Sequence, residues 1–402
     1  MIAFLAAACV ATPCAFVGAQ VQLGDGTTLP SATVIVQGGK IQAVGAELPV
    51  PEGAERIELE GKVLTPGLIE AQSQIGLFAV GLEASTVDHT LAGSAASPGL
   101  RVSEAFDPKS VWVPITREEG VTRLLISPTG GVLPGAGYAA SLSGEFSDLP
   151  DPKAPVAFFA SLNAAAVGGS RAAVWAFLRA LLADARWYQA NAAAYDAGKL
   201  TRPLAMRPEA LRPLAPLLAA ELPLVFEVNR ARDILAALAF AKEEGLRLVI
   251  AGGAEAWRVA EALAEAKVPV ILNPAEQQAN GFDAVMARDD AATLLDAAGV
   301  PLILSAYTWD QNARRLRQVA GLAVAQGLAH GAALKAITQT PAQVFGQAGA
   351  GSLRPGADAD FVIWSGDPFE LSTVAERVFI GGVERSLDTR QRKLAERYLK
   401  TR

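Results

Sequence analysis

Between residues 121 and 305 the chain repeats one pattern, in which a short run of apolar residues is followed by a longer stretch with apolar residues three and four positions apart. The apolar runs lie at 121–127, 155–160, 222–228, 246–251, 268–273 and 300–305. Each is the length of a buried strand, and helical spacing fills the intervals. Amphipathic spacing is clearest at 289–298 and 313–326, and the alanine-rich span 170–196 followed by 208–220 reads as helix too. Strand and helix in strict alternation predict a parallel sheet, and this many repeats predict an α/β barrel of the (β/α)8 TIM type. The fourth strand is weakly marked, with Pro203–Met206 its best place; Ser94–Gly99 and Ser127–Gly137, rich in proline and glycine, read as loops at the barrel mouth.

The two ends of the chain follow another pattern. Residues 15–23, 32–37 and 40–45 read as short strands separated by the turns Gly24-Asp25-Gly26 and Gly38-Gly39, and residues 378–384 read as a hairpin strand with its turn. Neither end has strands enough to bury a core alone. The expected division is therefore an apolar segment 1–14, a β unit made of 15–62 plus 354–402, and a barrel over 63–353.

Composition narrows the class. In a chain of 402 residues, 51% hydrophobic and 19% charged residues fit well-filled globular units and exclude a disordered protein. A net charge of −6, with the only basic cluster at Arg390, Arg392 and Lys393, gives nucleic acid no support as a partner. Both cysteines, Cys9 and Cys14, lie in the opening segment, which resembles the apolar middle of a secretory leader but lacks a basic residue ahead of it; the first is Lys40. Leu5-Ala-Ala-Ala-Cys9 loosely resembles a lipoprotein box, making Cys9 a lipid-anchor candidate. A periplasmic or envelope location follows if the segment is a leader, and a cytoplasmic one if it is not. No other stretch is long and apolar enough to suggest a membrane-spanning helix.

Histidine decides the chemistry. The chain has two, His89 and His330, so three or four imidazoles cannot meet around one zinc ion in the monomer. Val63–Leu77, with Gln72 and Gln74 at i and i+2 of an expected strand, would present two side chains on one face, the geometry two ligands of one metal need. This stretch, Pro-Gly-Leu-Ile-Glu-Ala-Gln-Ser-Gln, resembles the first barrel strand of the amidohydrolase superfamily, where the glutamine positions hold a His-x-His metal pair. Gly351–Pro368, with its Pro-Gly-Ala-Asp-Ala-Asp turn, resembles that superfamily's C-terminal signature. The likeness runs through nearly the whole chain after residue 15 and is nearest the imidazolonepropionase-like branch. It implies a barrel flanked by a β-sandwich built from both chain ends, zinc or iron at the mouth, and hydrolysis of carbon–nitrogen bonds.

Mapped onto that pattern, the ligands are missing. Glu227, or alternatively Asn229, stands where strand five would carry histidine; Gly252 stands at the histidine of strand six; Ala306 or Tyr307 falls at the aspartate of strand eight, with Asp310 beyond it on a loop. A neutral amide oxygen is a poor ligand for zinc or iron. Gln72, Gln74, Glu227 and Asp310 could hold a hard cation through oxygen, but one or two carboxylates are few for that purpose. The expectation is a dismantled metal centre with no metal, no cofactor and no catalytic residue assigned, and a mouth where Gln72, Gln74 and Glu227 form a hydrogen-bonded cluster completed by Tyr307 or a water. His89 reads as an exposed or locally bonded side chain, His330 as structural, and Asp358 and Asp360 as turn residues bonded to nearby amides. Three functions compete: a pseudoenzyme that binds a small molecule, an active homologue or itself; a hydrolase with an atypical centre; and a structural envelope component.

Overall fold

The computed structural model describes residues 9–307 and 311–399. The chain opens with β1 (Cys14–Gln22), β2 (Thr28–Gln37), β3 (Lys40–Gly45), β4 (Glu55–Glu58) and β5 (Val63–Pro66). It continues with β6 (Leu68–Ser73), β7 (Val121–Ile126), β8 (Gly135–Ser141), β9 (Ala157–Ser161), β10 (Leu224–Val228), β11 (Leu248–Gly252), β12 (Val270–Leu272) and β13 (Leu302–Leu304). It closes with β14 (Phe361–Trp364), β15 (Ala375–Ile380) and β16 (Val383–Arg385).

Strands from both chain ends share one sheet, ordered β16-β15-β14-β5-β1-β2-β3, with β4 also on β1. The sheet forks at β1, whose first half pairs with β4 and whose second half pairs with β5. Between the halves the register slips at Val17/Ala19 and Ala19/Val21, around Gly18 at φ +84°. Such a bulge adds twist and redirects the strand. Phe16, Phe361 and Phe379 pack at the centre of this sheet's core, with ring centroids 4.5 to 5.2 Å apart. Cys9 and Cys14 form a disulfide, which the sequence reading did not foresee, and Cys9 N–H donates to Gly382 O at 2.9 Å. Cys9 is buried, and attachment of a lipid to its sulfur excludes this bridge.

The second sheet runs β6-β7-β8-β9-β10-β11-β12-β13 as a near-closed barrel. Its interior takes one or two side chains from most strands: Ala71, Leu125, Phe159, Val225, Val249, Ala251, Ile271 and Ile303. The alternate residues, such as Leu124, Phe158, Phe226, Ile250 and Leu304, face the surrounding helices, the period-two consequence of the pleat. The helix Arg171–Asp196 illustrates the outer layer: Ser170 caps it by accepting from Ala173 N–H at 3.1 Å, and Val174, Leu178, Leu181, Leu182, Ala185 and Tyr188 make its buried stripe.

Two expectations need correction. The stretch from Val63 is not one strand: β5 belongs to the sheet of the chain ends, β6 to the barrel, and Gly67 divides them. A Cβ on Gly67 would lie 2.1 Å from Thr122 Oγ1, so only glycine lets the chain cross so close to β7. The barrel is also not uniformly parallel. Pro203–Met206 is irregular, and the missing strand is β8, which runs antiparallel to both β7 and β9. Its sequence, Gly-Ala-Gly-Tyr-Ala-Ala-Ser, lacks β-branched residues and so hid among loop residues. Small residues are required there, since a Cβ on Gly137 would sit 2.5 Å from the Phe159 ring and 2.8 Å from Ile126 O.

The two sheets meet at Trp364, fully buried, whose indole N–H donates to Thr65 Oγ1 at 2.9 Å. Its ring fills the space over Gly120, where a Cβ would approach to 2.3 Å and φ is +82°. Asp358 and Asp360 act across the same junction instead of on amides of their own turn: Arg123 of β7 bonds to both, with Nε to Asp360 at 2.8 Å, and Gly381 N–H donates to Asp360 at 2.8 Å. The Gly120→Ala variant should therefore lose roughly 2 kcal/mol or more of stability through overpacking and a strained φ. Denaturant unfolding checks this, and an unchanged midpoint would show that the junction does not depend on Trp364 seating over Gly120.

Candidate functional site

The barrel's ladder leaves β6 and β13 as its two ends, and a carboxyl group spans them. Glu70 of β6, completely buried, accepts from the Ser305 hydroxyl, from Ala306 N–H at 2.9 Å and from Gln72 N–H at 3.3 Å. Burial pushes its carboxyl up from 4.5 to about 7, with these donors pulling the other way. Ile69 N–H is taken by Ile337 O at 2.9 Å, so the strand's exposed edge is satisfied from outside the barrel.

Above this seam the strand ends open into a mouth. A cavity of about 320 Å³ is lined by Gln72, Glu227, Asn229, Gly252, Ser305 and Tyr307, with Asn273, Glu276, Gln277 and Asn280 on its far side. Glu227 also lines two adjoining hollows, one with Thr129 and Ser161 and one with Arg171, Asp233 and Asp283. Water reaches the Glu227 side chain through the mouth, yet protein surrounds it on the other sides, and this desolvation raises its carboxyl above the usual range. Arg171, the nearby cation, is engaged with Asp233 at 3.2 Å and with Asp283.

Five of the positions read from the sequence thus come together: Gln72, Glu227, Asn229, Gly252 and Tyr307. Gln74 does not. It lies past the last residue of β6, in a turn closed by Leu77 N–H to Gln74 O, where strand alternation no longer governs direction. Its amide donates to Ser127 Oγ at 3.0 Å and to Ser127 O at 3.3 Å. The expected Gln/Glu hydrogen-bonded cluster is not formed among the described residues; Gln72 and Glu227 share the cavity without bonding each other. Asp310 lies outside the described residues. Ala306, the alternative at strand eight, uses its N–H on Glu70 and is buried.

The donor set does not fit a divalent transition metal. No group of three or more His, Cys, Asp or Glu side chains able to hold one occurs among the described residues. Gly252 supplies nothing, and its place is taken: φ is +85°, and a Cβ there would come within 2.5 Å of Asn229 Oδ1. His89 is buried and bonded through Nδ1 to Thr129 Oγ1 at 2.9 Å and to Thr90 Oγ1 at 3.1 Å, the locally bonded of the two expected states. His330 bonds Asp367 at 2.9 Å and packs on Phe369. A larger cavity, about 720 Å³, sits at the opposite end of the barrel by Pro223, Leu248 and Pro269, where the strands begin. Active sites of this fold lie at the strand ends, so the smaller mouth is the candidate site.

Sequence reasoning missed Glu70, Asn273, Gln277 and Ser305. Asn273 and Ser305 close two of the apolar runs and were within reach of the strand-end rule; Glu70 was visible only as part of a motif, since nothing local signals that it bridges to the last strand.

A profile of the Amidohydrolase family matches residues 303–383, the last barrel strand through β16. No curated protein matches the chain. Among solved structures, it is similar to an amidohydrolase from Thermotoga maritima MSB8, at 27% identity over 92% of this chain and 98% of that one, with a TM-score of 0.82. Molinate hydrolase (18% identity, 94% and 95% coverage, TM-score 0.56) and a triazine hydrolase variant (16%, 96% and 98%, 0.56) share the fold.

Glu70 yields a pH prediction. Its folded pKa is raised, so its stabilising contribution is whole below 4.5 and lost as pH climbs through about 7. At 1.36 kcal/mol per pH unit, stability should fall by about 3 kcal/mol across that window. Unfolding free energies measured from pH 4.5 to 8 should show this decline in the parent and its loss in Glu70→Gln; equal profiles would sink the assignment.

Proposed function

We propose that this chain is a non-hydrolytic homologue of the metal-dependent amidohydrolases, of the imidazolonepropionase-like branch, whose barrel mouth binds a small ligand or pairs with an active homologue or a second copy. The forked sheet of the two chain ends, with β5 included, serves as its composite sandwich beside the barrel that begins at Leu68. The supporting observation is the composition of the mouth: Gln72, Glu227, Gly252 and Tyr307 occupy the strand ends without an imidazole among them. C–N hydrolysis in such barrels uses hydroxide generated on a metal ion, and without the ion the pKa of water returns toward its bulk value. What the residues offer instead is a concave, amide-rich surface with two carboxylates, Glu227 and Glu276, suited to recognition.

A second reading, a hydrolase of carbon–nitrogen bonds with an atypical centre, has one observation in its favour. The Glu227 carboxyl, pushed up by burial, suits proton transfer nearer neutral pH than an ordinary glutamate does. The similar folds of proteins named as molinate and triazine hydrolases keep this reading open to test.

Elemental analysis of dialysed protein separates the two. The expected result is no stoichiometric zinc, iron or manganese, and no turnover of amide or urea substrates that Glu227→Gln abolishes. One or two metal ions per chain, or Glu227-dependent turnover, would overturn the proposal.

A further inference from the structure

The mouth has a charge character that selects a class of ligand. Its about 320 Å³ cavity is of the size that encloses a small organic molecule. Among the described residues lining it there is no lysine, arginine or histidine, while Glu227 and Glu276 bring negative charge. Glu227 makes no ion pair or hydrogen bond with a described residue, and its side chain lies open to the mouth. Arg171, which borders the adjoining hollow, is held by Asp233 and Asp283 on the far side.

A second acceptor waits in the same wall. Gln277 is buried, its Nε2 donates to Asn273 O at 3.1 Å, and its Oε1 has no hydrogen-bond partner. A buried acceptor left unpaired is costly, and the negative lining of the mouth has no counterion among the described residues. That charge is answered by a group that carries positive charge and several N–H donors. A divalent ion answers poorly, because it needs several convergent carboxylates and the amide oxygens are weak ligands.

We propose that the barrel mouth binds the cationic N–H end of a small organic molecule, a protonated amine or a guanidinium, with Glu227 as its counterion and carboxamides of the lining as acceptors. This rests on the reading of the mouth as a recognition pocket and names what it recognises. An ammonium presents three donors and a guanidinium five in a planar fork, and the carboxylate accepts from either. A urea of the same planar shape keeps three of the guanidinium's five N–H donors, carries a carbonyl in place of the other two, and loses the charge-assisted bond, which is about twice as strong as a neutral one.

The experiment is a calorimetric titration of the full chain with n-butylguanidinium, n-butylammonium and n-butylurea. At least one cation should bind saturably, with the urea about tenfold weaker or more. Glu227→Gln, nearly isosteric, should erase that preference, and Asn280→Asp, at an exposed rim position, should strengthen cation binding. If the urea binds as tightly as the cations, or Glu227→Gln leaves the preference unchanged, the inference fails while the pocket remains a recognition site. If none of the three binds the parent, the inference is overturned. Stoichiometric metal in the same preparation would overturn the reading beneath it. A cation preference that persists in Glu227→Gln but is lost in a Glu276→Gln variant places the counterion elsewhere and overturns the assignment to Glu227.

Discussion

A carboxyl group sealed from water joins the first and last strands of the barrel. The ladder of hydrogen bonds runs from β6 round to β13 and stops, and between these two ends Glu70 gathers the Ser305 hydroxyl and the Ala306 N–H. A sheet edge left open inside a protein strands backbone donors, which costs as much as losing hydrogen bonds outright. One side chain therefore does what a further rung of the ladder would do. The same glutamate takes Gln72 N–H, so the residue that closes the barrel also sets the backbone from which the mouth's first amide projects.

The mouth inherits its rigidity from this arrangement and from the junction behind it. β5 and β6 are consecutive, divided only by Gly67, so the sheet of the chain ends and the barrel share a continuous backbone. Trp364 over Gly120 and Arg123 between Asp358 and Asp360 lock the two sheets on the side away from the mouth. Sites placed on strands anchored in this way hold their side chains more precisely than sites on loops. Glu227 is such a case: it stands on β10, flanked in register by Ser161 of β9 and Ala251 of β11.

Much of the fold could be read in the sequence because apolar period and run length carry it. β7, β9, β10, β11, β12 and β13 each fall within or beside an apolar run, and the 26-residue helix shows its stripe directly. β8 could not be read, because its glycines and alanines are chosen by how close Phe159 and the β7 backbone approach, which is a tertiary fact. The site was legible where strand ends could be counted, at Gln72, Glu227, Gly252 and Tyr307. It was not legible at Gln74, where the strand ended one residue early, or at Glu70, whose partners on the last strand's end, Ser305 and Ala306, lie more than two hundred residues away. The disulfide, too, depended on the turn over 9–12 bringing Cys9 back beside Cys14, which spacing alone does not specify.

The absence of imidazole at the strand ends, the space over Gly252 filled by Asn229, and the carboxylates of Glu227 and Glu276 among amides are the observations behind the proposal that the mouth recognises a ligand by hydrogen bonds and charge. Anomalous diffraction at the zinc edge, from crystals grown with excess zinc chloride, tests this most directly. The account expects no anomalous peak between Gln72, Glu227 and Tyr307. A zinc ion there, within the usual bonding distance of about 2.0–2.2 Å from the Gln72 and Glu227 oxygens, would contradict it.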